Sequence, residues 1–278
     1  MKEIYDKLSA ACSEMITKRY STSFSLGIYF LEEKLRHPIY AIYGFVRLAD
    51  EIVDSFHDYD KPILLSKFKR DCFEAIEDGI SLNPVLNSFQ QVVNKYNIDK
   101  ELIELFLRSM EMDLEQALYT PEKYNEYILG SAQVVGLMCL QVFTEGDKAQ
   151  YEKLKDSAMQ LGSAFQKVNF LRDINADYYT LSRSYFPNVN LSAFSNTEKK
   201  MIEEEIEEEF KLALIGIRQL PASSKNGVYL AYVYYKKLFQ KIKSSTAEKV
   251  MTQRIRISNA HKFGLMFDSI IRYKTNTI

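Results

Sequence analysis

Two pairs of aspartates with the same spacing carry the most chemistry in this chain. Asp173 and Asp177 lie four residues apart in LGSAFQKVNFLRDINADYYTLSRSYFP, residues 161–187. On an α-helix such positions share a face, with Cβ atoms about 6 Å apart. Asn169 lies one turn before Asp173, and Gln166 about one turn before Asn169. Leu161, Ala164, Phe165, Val168, Phe170 and Leu171 fill the positions between, which predicts a helix buried on most of its circumference. Burying a Gln-Asn-Asp-Asp stripe is costly unless a counter-charge meets it. A hard dication suits oxygen donors, and Mg²⁺ takes one or two carboxylates and completes its shell with water and phosphate oxygens. The second pair, Asp50 and Asp54, ends the stretch YAIYGFVRLADEIVD, residues 40–54, with Arg47 one turn back and Tyr43 another. Either pair alone reads equally as a solvated face, Arg47 simply pairing with Asp50. Two such pairs on two apolar helices read better as halves of one site. Facing each other across a helical bundle, they would hold dications and, through them, a diphosphate, with arginine forks completing the neutralisation.

The elements that must position these residues are helices. Ten glycines and six prolines in 278 residues are too few for an architecture of strands and tight turns. Apolar residues recur with helical period almost throughout. A first amphipathic helix is predicted over residues 2–19, turning Ile4, Leu8, Ala11 and Met15 inward, with Ser21-Thr22-Ser23-Phe24-Ser25 as its breaker. A long helix follows from about Glu32 to Asp54. Asn83-Pro84, Asp99 and Thr120-Pro121 are helix starts, the last helix reaching Phe143 through Gly130, Ser131, Ala132 and Gly136, where something packs closely. The helix bearing Asp173 begins at Gly146. Ser195-x-x-Glu198 is a capping box for a helix to Gln219, in which Glu203–Glu209 reads as a solvated face around the inward Met201, Ile202, Ile206, Phe210 and Leu214. Helices from Pro221 to about Lys243 and from Thr246 to about Tyr273 complete one all-α domain over residues 1–278, with eight to ten helices around a central cavity. Net charge is −1, so nothing favours nucleic acid as a partner. Cys12, Cys72 and Cys139 are widely spaced and the N-terminus has no apolar signal core, which predicts the cytoplasm. The most apolar run, Val134–Phe143, is too short to span a bilayer. The histidines, His37, His57 and His261, read as surface residues.

The motifs resemble the squalene and phytoene synthase family over nearly the whole chain. The downstream family pattern is met by Leu161, Gly162, Gln166, Asn169, Arg172, Asp173, Asp177, Arg183, Tyr185 and Pro187. Tyr127, Ser131, Ala132, Val135 and Gly136 match a middle pattern, with Ile128 and Gln133 where smaller residues are usual. Gln133 would alter the shape of a prenyl channel. Ser21, Ser23, Phe24 and Ser25 match an N-terminal one. The first acidic motif has Glu51 where the family has Asp, which keeps the charge. Arg254 and Arg256 match a C-terminal basic segment.

The resemblance implies an isoprenoid-synthase-type helical bundle and head-to-head condensation of two prenyl diphosphates. It gives Asp50, Asp54, Asn169, Asp173 and Asp177 as ligands of Mg²⁺, or of Mn²⁺ in its place. Tyr43 and Arg47 join the aspartates as catalytic groups. Ser21, Thr22, Ser23, Phe24, Tyr43, Arg47, Gln166, Asn169, Arg172, Arg183, Tyr185 and Arg256 hold substrate. The carbocation formed when diphosphate leaves needs an apolar, aromatic cavity, to which Phe24, Tyr43, Phe165 and Val135 would contribute. Phytoene from two geranylgeranyl diphosphates is the favoured product. Squalene or dehydrosqualene from farnesyl diphosphate is the alternative, with NADPH as cofactor in the squalene case alone. Non-catalytic relatives lose aspartates that this chain keeps. Class I terpene cyclases share the metal logic but lack the block from Arg172 to Pro187. Partners are prenyl diphosphates and, for release of a hydrocarbon product, the periphery of a membrane; the oligomeric state stays open.

Overall fold

A computed structural model describes residues 1–114, 119–179, 184–187, 189–257 and Gly264. It forms α1 (Lys2–Tyr20), α2 (Thr22–Tyr29), α3 (Glu33–Asp54), α4 (Lys61–Asp78), α5 (Pro84–Tyr96) and α6 (Lys100–Met112). These are followed by α7 (Pro121–Ile128), α8 (Val134–Phe143), α9 (Lys148–Tyr179), α10 (Asn196–Gln219), α11 (Ala222–Lys243) and α12 (Ala247–Thr252). No strand occurs among the described residues. The helix starts follow the capping chemistry of the sequence. Asn83, Asp99 and Thr120 each accept a backbone N–H of the first turn, and Ser195 and Glu198 close a reciprocal capping box. Ser21 does more than break α1. Its Oγ accepts the Phe24 N–H at 3.2 Å and starts α2 at once. Before α9, Gly146 takes a left-handed turn (φ 87°) and Asp147 accepts the Gln150 N–H at 3.0 Å, so the helix begins two residues later than the glycine.

Two apolar clusters flank a central cavity. One gathers Phe45, Phe89 and Phe106, the first two stacked with centroids 4.0 Å apart. The other gathers Val168, Leu171, Ile206, Phe210 and Phe239 around α9, α10 and α11. α7 and α8 run on through a π-helical turn, Leu129–Gln133. A π turn inserts one residue into the ladder and is concentrated at functional sites. The small residues here let backbones meet: a Cβ on Gly162 of α9 would lie 2.6 Å from the Ala132 carbonyl oxygen, and one on Gly136 would lie 2.9 Å from that of Ala158. Joined, Pro121–Phe143 is 23 residues long and, by length and composition alone, enough to cross a bilayer. In this fold 56% of its apolar window is buried, as a core helix is.

Several expectations are overturned. α1 is inverted: Ile4, Leu8 and Met15 are exposed, while Ser9, Ser13 and Thr17 are buried. The reason is close approach. A Cβ on Gly44 of α3 would lie 3.0 Å from Ser13 Oγ, leaving no room for a large side chain, and the hydroxyls of Ser9 and Thr17 donate to α1's own carbonyls. Glu203 and Glu209 are buried, not solvated: Lys199 pairs with Glu203, and Lys167 pairs with Glu205 and Glu209. The final predicted helix stops at Thr252, and Gln253 is extended (φ −140°, ψ 128°). The remainder to Tyr273 lies largely outside the described residues, as does His261. His37 is half-buried, and burial lowers its pKa. The described residues form twelve α-helical segments against the expected eight to ten: the stretch read as a breaker after α1 itself forms α2, and the helix expected up to Phe143 is divided into α7 and α8 by the π turn.

Candidate functional site

The cavity between the clusters has a volume of about 970 Å³. Asp50, Asp54, Asp173 and Asp177 all line it, so α3 and α9 present their acidic pairs to one space and the solvated-face reading fails for both. Ser21, Thr22, Ser23, Phe24, Tyr43, Arg47, Gln166, Asn169, Arg172, Tyr185 and Arg256 line the same cavity. Arg183 lies outside the described residues. Glu51 is half-buried beside Asp50 and pairs with Arg47. Ser131, Ala132, Val135 and Gly136 are on the wall as expected, whereas Gln133, from the same turn, is not among the lining residues.

α3 positions its pair by burying the other side of the helix. Phe45, Ala49 and Val53 are almost fully buried, and this leaves Tyr43, Arg47, Asp50 and Asp54 on the cavity side. Arg47 pairs with both Asp50 and Glu51, and its guanidinium lies 4.3 Å from the centre of the Tyr20 ring. Its Nε is buried without a partner, a donor left over in the wall of a polar pocket. Burial, and next the Asp54 charge, push the Asp50 carboxyl up to about 7 despite Arg47. About a third of its side chain (33%) still meets the cavity. Arg47 thus does not offset the combined effect of burial and the Asp54 charge at Asp50.

On α9, Arg172 Nη2 lies 2.5 Å from Asp173 Oδ2. Burial opposes the Arg172 charge, and the bond to Asp173 outweighs it, raising the arginine's pKa. Arg254 Nε lies 2.7 Å from Asp173 Oδ1. It sits on the extended segment after α12, which α9 anchors through the Asn175 side-chain amide donating to the Met251 carbonyl. Tyr235 Oη donates to Asn169 Oδ1 at 3.3 Å, and Gln166 Nε2 to Ser131 Oγ at 3.4 Å. Behind this face, Lys167 and Glu209 fix α9 to α10.

Beyond the polar end the wall is apolar and aromatic. Phe165 stacks on Tyr235 with centroids 3.9 Å apart, Phe170 on Tyr185 at 4.1 Å, and Phe24 meets Tyr43 at 5.5 Å. Such faces attract cations and exclude water. Ile28, Leu31, Leu140, Phe143 and Ile217 continue the lining.

The motif reading missed one group. Asp113, just past α6, is 8% exposed and faces the cavity. Tyr127 Oη donates to its Oδ2 at 2.7 Å and Tyr185 Oη to its Oδ1 at 3.2 Å. Burial, then the Asp113 charge, raises the Tyr127 pKa, so the phenol stays protonated. Nothing in the local sequence marks Asp113. Only the two tyrosines that converge on it do, and they come from α7 and from the turn near Pro187. Tyr235 belongs with it as a polar group that tertiary packing brings in, whereas Arg254, expected from the C-terminal basic segment, lines the cavity.

Among the described residues no group of three or more acidic, histidine or cysteine side chains converges to hold a metal by protein ligands alone. The donor set nonetheless fits Mg²⁺ in its usual manner, one or two carboxylates for each ion with water and phosphate oxygens supplying the rest. The fit therefore requires a phosphate-bearing ligand in the same cavity.

Comparison with known proteins points the same way. Residues 17–261 match the family model described as squalene/phytoene synthase. Phytoene synthase 1 of Solanum lycopersicum is 24% identical over 94% of this chain and 66% of its own length. The Zea mays phytoene synthase 1 is matched over 63% of its length, so the chain spans about two thirds of these plant relatives. The phytoene synthase of Arthrospira platensis is 26% identical over 86% of this chain and 85% of its own. A crystal structure of a dehydrosqualene synthase superposes with a TM-score of 0.84 over 98% of this chain and 99% of that one, at 20% identity. The squalene synthase of Alicyclobacillus acidocaldarius gives 0.75 over 86% and 95%, at 18% identity. At these identities the superpositions establish the fold.

Proposed function

This chain belongs to the squalene/phytoene synthase family, and we propose that it condenses two prenyl diphosphates head to head, taking two geranylgeranyl diphosphates to phytoene. The observation that carries the proposal is the meeting of both acidic pairs at the polar end of one long apolar cavity. Asp50 and Asp54 from α3, and Asp173, Asp177 and Asn169 from α9, would hold Mg²⁺ together with the diphosphates. When bound, that ion supplies Lewis acidity towards the departing diphosphate. Arg47 pairs with Asp50, and Arg172 and Arg254 with Asp173; their remaining N–H donors would neutralise phosphate oxygens. Departure of diphosphate leaves an allylic cation. The double bond of the second chain attacks it, and loss of one proton closes a cyclopropylcarbinyl diphosphate. A second departure of diphosphate, rearrangement and loss of another proton give phytoene. The aromatic wall keeps water from each cation and presents ring faces to it. Asp113 holds the Tyr127 and Tyr185 hydroxyls fixed beside that path.

The geranylgeranyl assignment draws on the relatives named phytoene synthases and on room. At about 970 Å³ the cavity is at the top of the range of about 300–1,000 Å³ typical of small-ligand sites, as two long chains require. Each buried CH₂ contributes about 0.8 kcal/mol, so an added isoprene unit that fits favours the longer substrate by a few kcal/mol. Equal amounts of farnesyl and geranylgeranyl diphosphate with Mg²⁺, with and without NADPH, followed by hydrocarbon analysis, test this. Phytoene without need of NADPH is expected. A dominant thirty-carbon product would move the chain to the farnesyl-using branch and leave the family intact.

A further inference from the structure

Two arginines fill the Asp173 carboxylate. Its Oδ1 accepts from Arg254 Nε at 2.7 Å and from Arg172 Nε at 3.1 Å. Its Oδ2 accepts from Arg172 Nη2 at 2.5 Å and from Arg254 Nη2 at 3.2 Å. An ionised carboxylate offers about four lone-pair sites, so the two forks take them up. A Mg²⁺ ion needs an oxygen at about 2.0–2.1 Å, and two guanidinium charges beside that oxygen repel it. Asp173 therefore takes a dication only after an arginine leaves. Asp50 on α3 is held more lightly: it meets Arg47 through Oδ2, and Arg47 is shared with Glu51.

Exposure and anchoring identify the arginine that leaves. Arg172 stands next to Asp173 on α9, and its side chain is 21% exposed. The Arg254 side chain is 50% exposed and reaches in from the segment after α12. That segment is pinned on either side of it. The Asn175 side-chain amide donates to the Met251 carbonyl, and Lys241 Nζ donates to the Arg256 carbonyl at 2.6 Å. Ile255 and Ile257 are buried in the cluster around α9, α10 and α11. With the backbone held, the move required is a turn of one long side chain. Arg254 lines the cavity, so its freed fork stays at the polar end, where it can meet a phosphate bidentately.

We propose that Arg254 guards the α9 half of the site: it occupies Asp173 until a diphosphate group draws it off, so that dication and diphosphate enter there together. The inference rests on the proposed function and adds an order to it, with Asp50 engaged before Asp173. One cationic side chain then serves two states. It offsets the Asp173 charge before the ligand arrives, and the diphosphate charge once a dication has replaced it on the carboxylate. The two ligands are thereby coupled, each raising the affinity of the other by the same factor.

The test is titration of the full chain with Mn²⁺, with and without inorganic pyrophosphate, the free ion being read by electron paramagnetic resonance. The variants are Arg254→Gln and Arg254→Lys, each checked by thermal melting. Two affinities should move in opposite directions. Arg254→Gln is expected to bind Mn²⁺ alone roughly two- to fivefold more tightly than the unmodified protein, the change that an exposed ion pair supplies. It should bind Mn²⁺ with pyrophosphate more weakly. Arg254→Lys, which keeps the charge and loses the fork, should fall between. Weaker binding with pyrophosphate beside unchanged binding of Mn²⁺ alone would make Arg254 a phosphate ligand only and overturn the guard. A lower melting temperature with both affinities unchanged overturns it too, since Arg254 would then be a strut between its segment and α9. An unmodified protein that takes up no Mn²⁺ with pyrophosphate overturns the guard together with the diphosphate site it rests on. Hydrocarbon product from the unmodified protein, with Mn²⁺ affinity unchanged in Arg254→Gln, removes the guard alone.

Discussion

α1 and α9 both turn polar residues inward, for opposite reasons. On α1 the inward residues are Ser9, Ser13 and Thr17, and two of these hydroxyls are satisfied by the helix's own carbonyls. They are there because they are small, and α3 lies hard against them at Gly44. On α9 the inward residues are Gln166, Asn169, Asp173 and Asp177, too large and too charged to be packed, and they face open space. A polar stripe on a buried face thus means close approach when its side chains are short hydroxyls, and a site when they are amides and carboxylates. The same distinction says where the apolar residues go. α9 surrounds its stripe with core, whereas α1 is left with its apolar side outward.

The largest expected effect breaks the α9 half of that contrast. Asp173→Asn keeps the shape but removes a charge that Arg172 and Arg254 both meet. Turnover should fall roughly a thousandfold, about 4 kcal/mol of transition-state stabilisation, with an unchanged circular dichroism spectrum. Near-normal turnover would return Asp173 to a structural ion pair. Next is Gly162→Ala. Its Cβ would lie 2.6 Å from the Ala132 carbonyl oxygen, and backbone yields less readily than a side chain. A loss of roughly 1–3 kcal/mol is expected from denaturant melts, together with lower turnover, because Gln166 and Ser131 move with the two elements. Gly44→Ala is the matching change on the α1 side. There the new methyl meets Ser13 Oγ at 3.0 Å, so a loss of about 1 kcal/mol is expected, read in the same melts, with turnover kept. Smallest is Leu8→Gln, on the exposed side of α1, which should move stability by less than about 0.5 kcal/mol. A larger loss in a thermal melt would mean that the stripe is packed against something in solution.

The helical architecture was legible because caps and periodicity are local. Asn83, Asp99, Thr120 and Ser195 each announce a helix start by chemistry confined to a few residues. The acidic pairs were legible because i and i+4 spacing survives any tertiary arrangement. What the sequence concealed depends on partners far along the chain. Which side of α1 faces in is decided by Gly44, not by α1. Whether the Glu203–Glu209 run is wet is decided by Lys167 and Lys199. Asp113 becomes part of the site only when Tyr127 and Tyr185 reach it, and the pairing of Arg254 with Asp173 arises only once the chain leaves its helical course at Gln253.

That α3 and α9 form one diphosphate-binding unit is tested most directly by calorimetric titration with a non-reacting thio analogue of a prenyl diphosphate, with and without Mg²⁺. The proteins are the unmodified chain, Asp50→Asn, Asp173→Asn and the double variant. The expected result is Mg²⁺-dependent binding that either single change abolishes or greatly weakens, the double variant being no worse than the poorer single one, as for groups that act together. Binding indifferent to Mg²⁺, or losses that simply add in the double variant, would contradict a shared site.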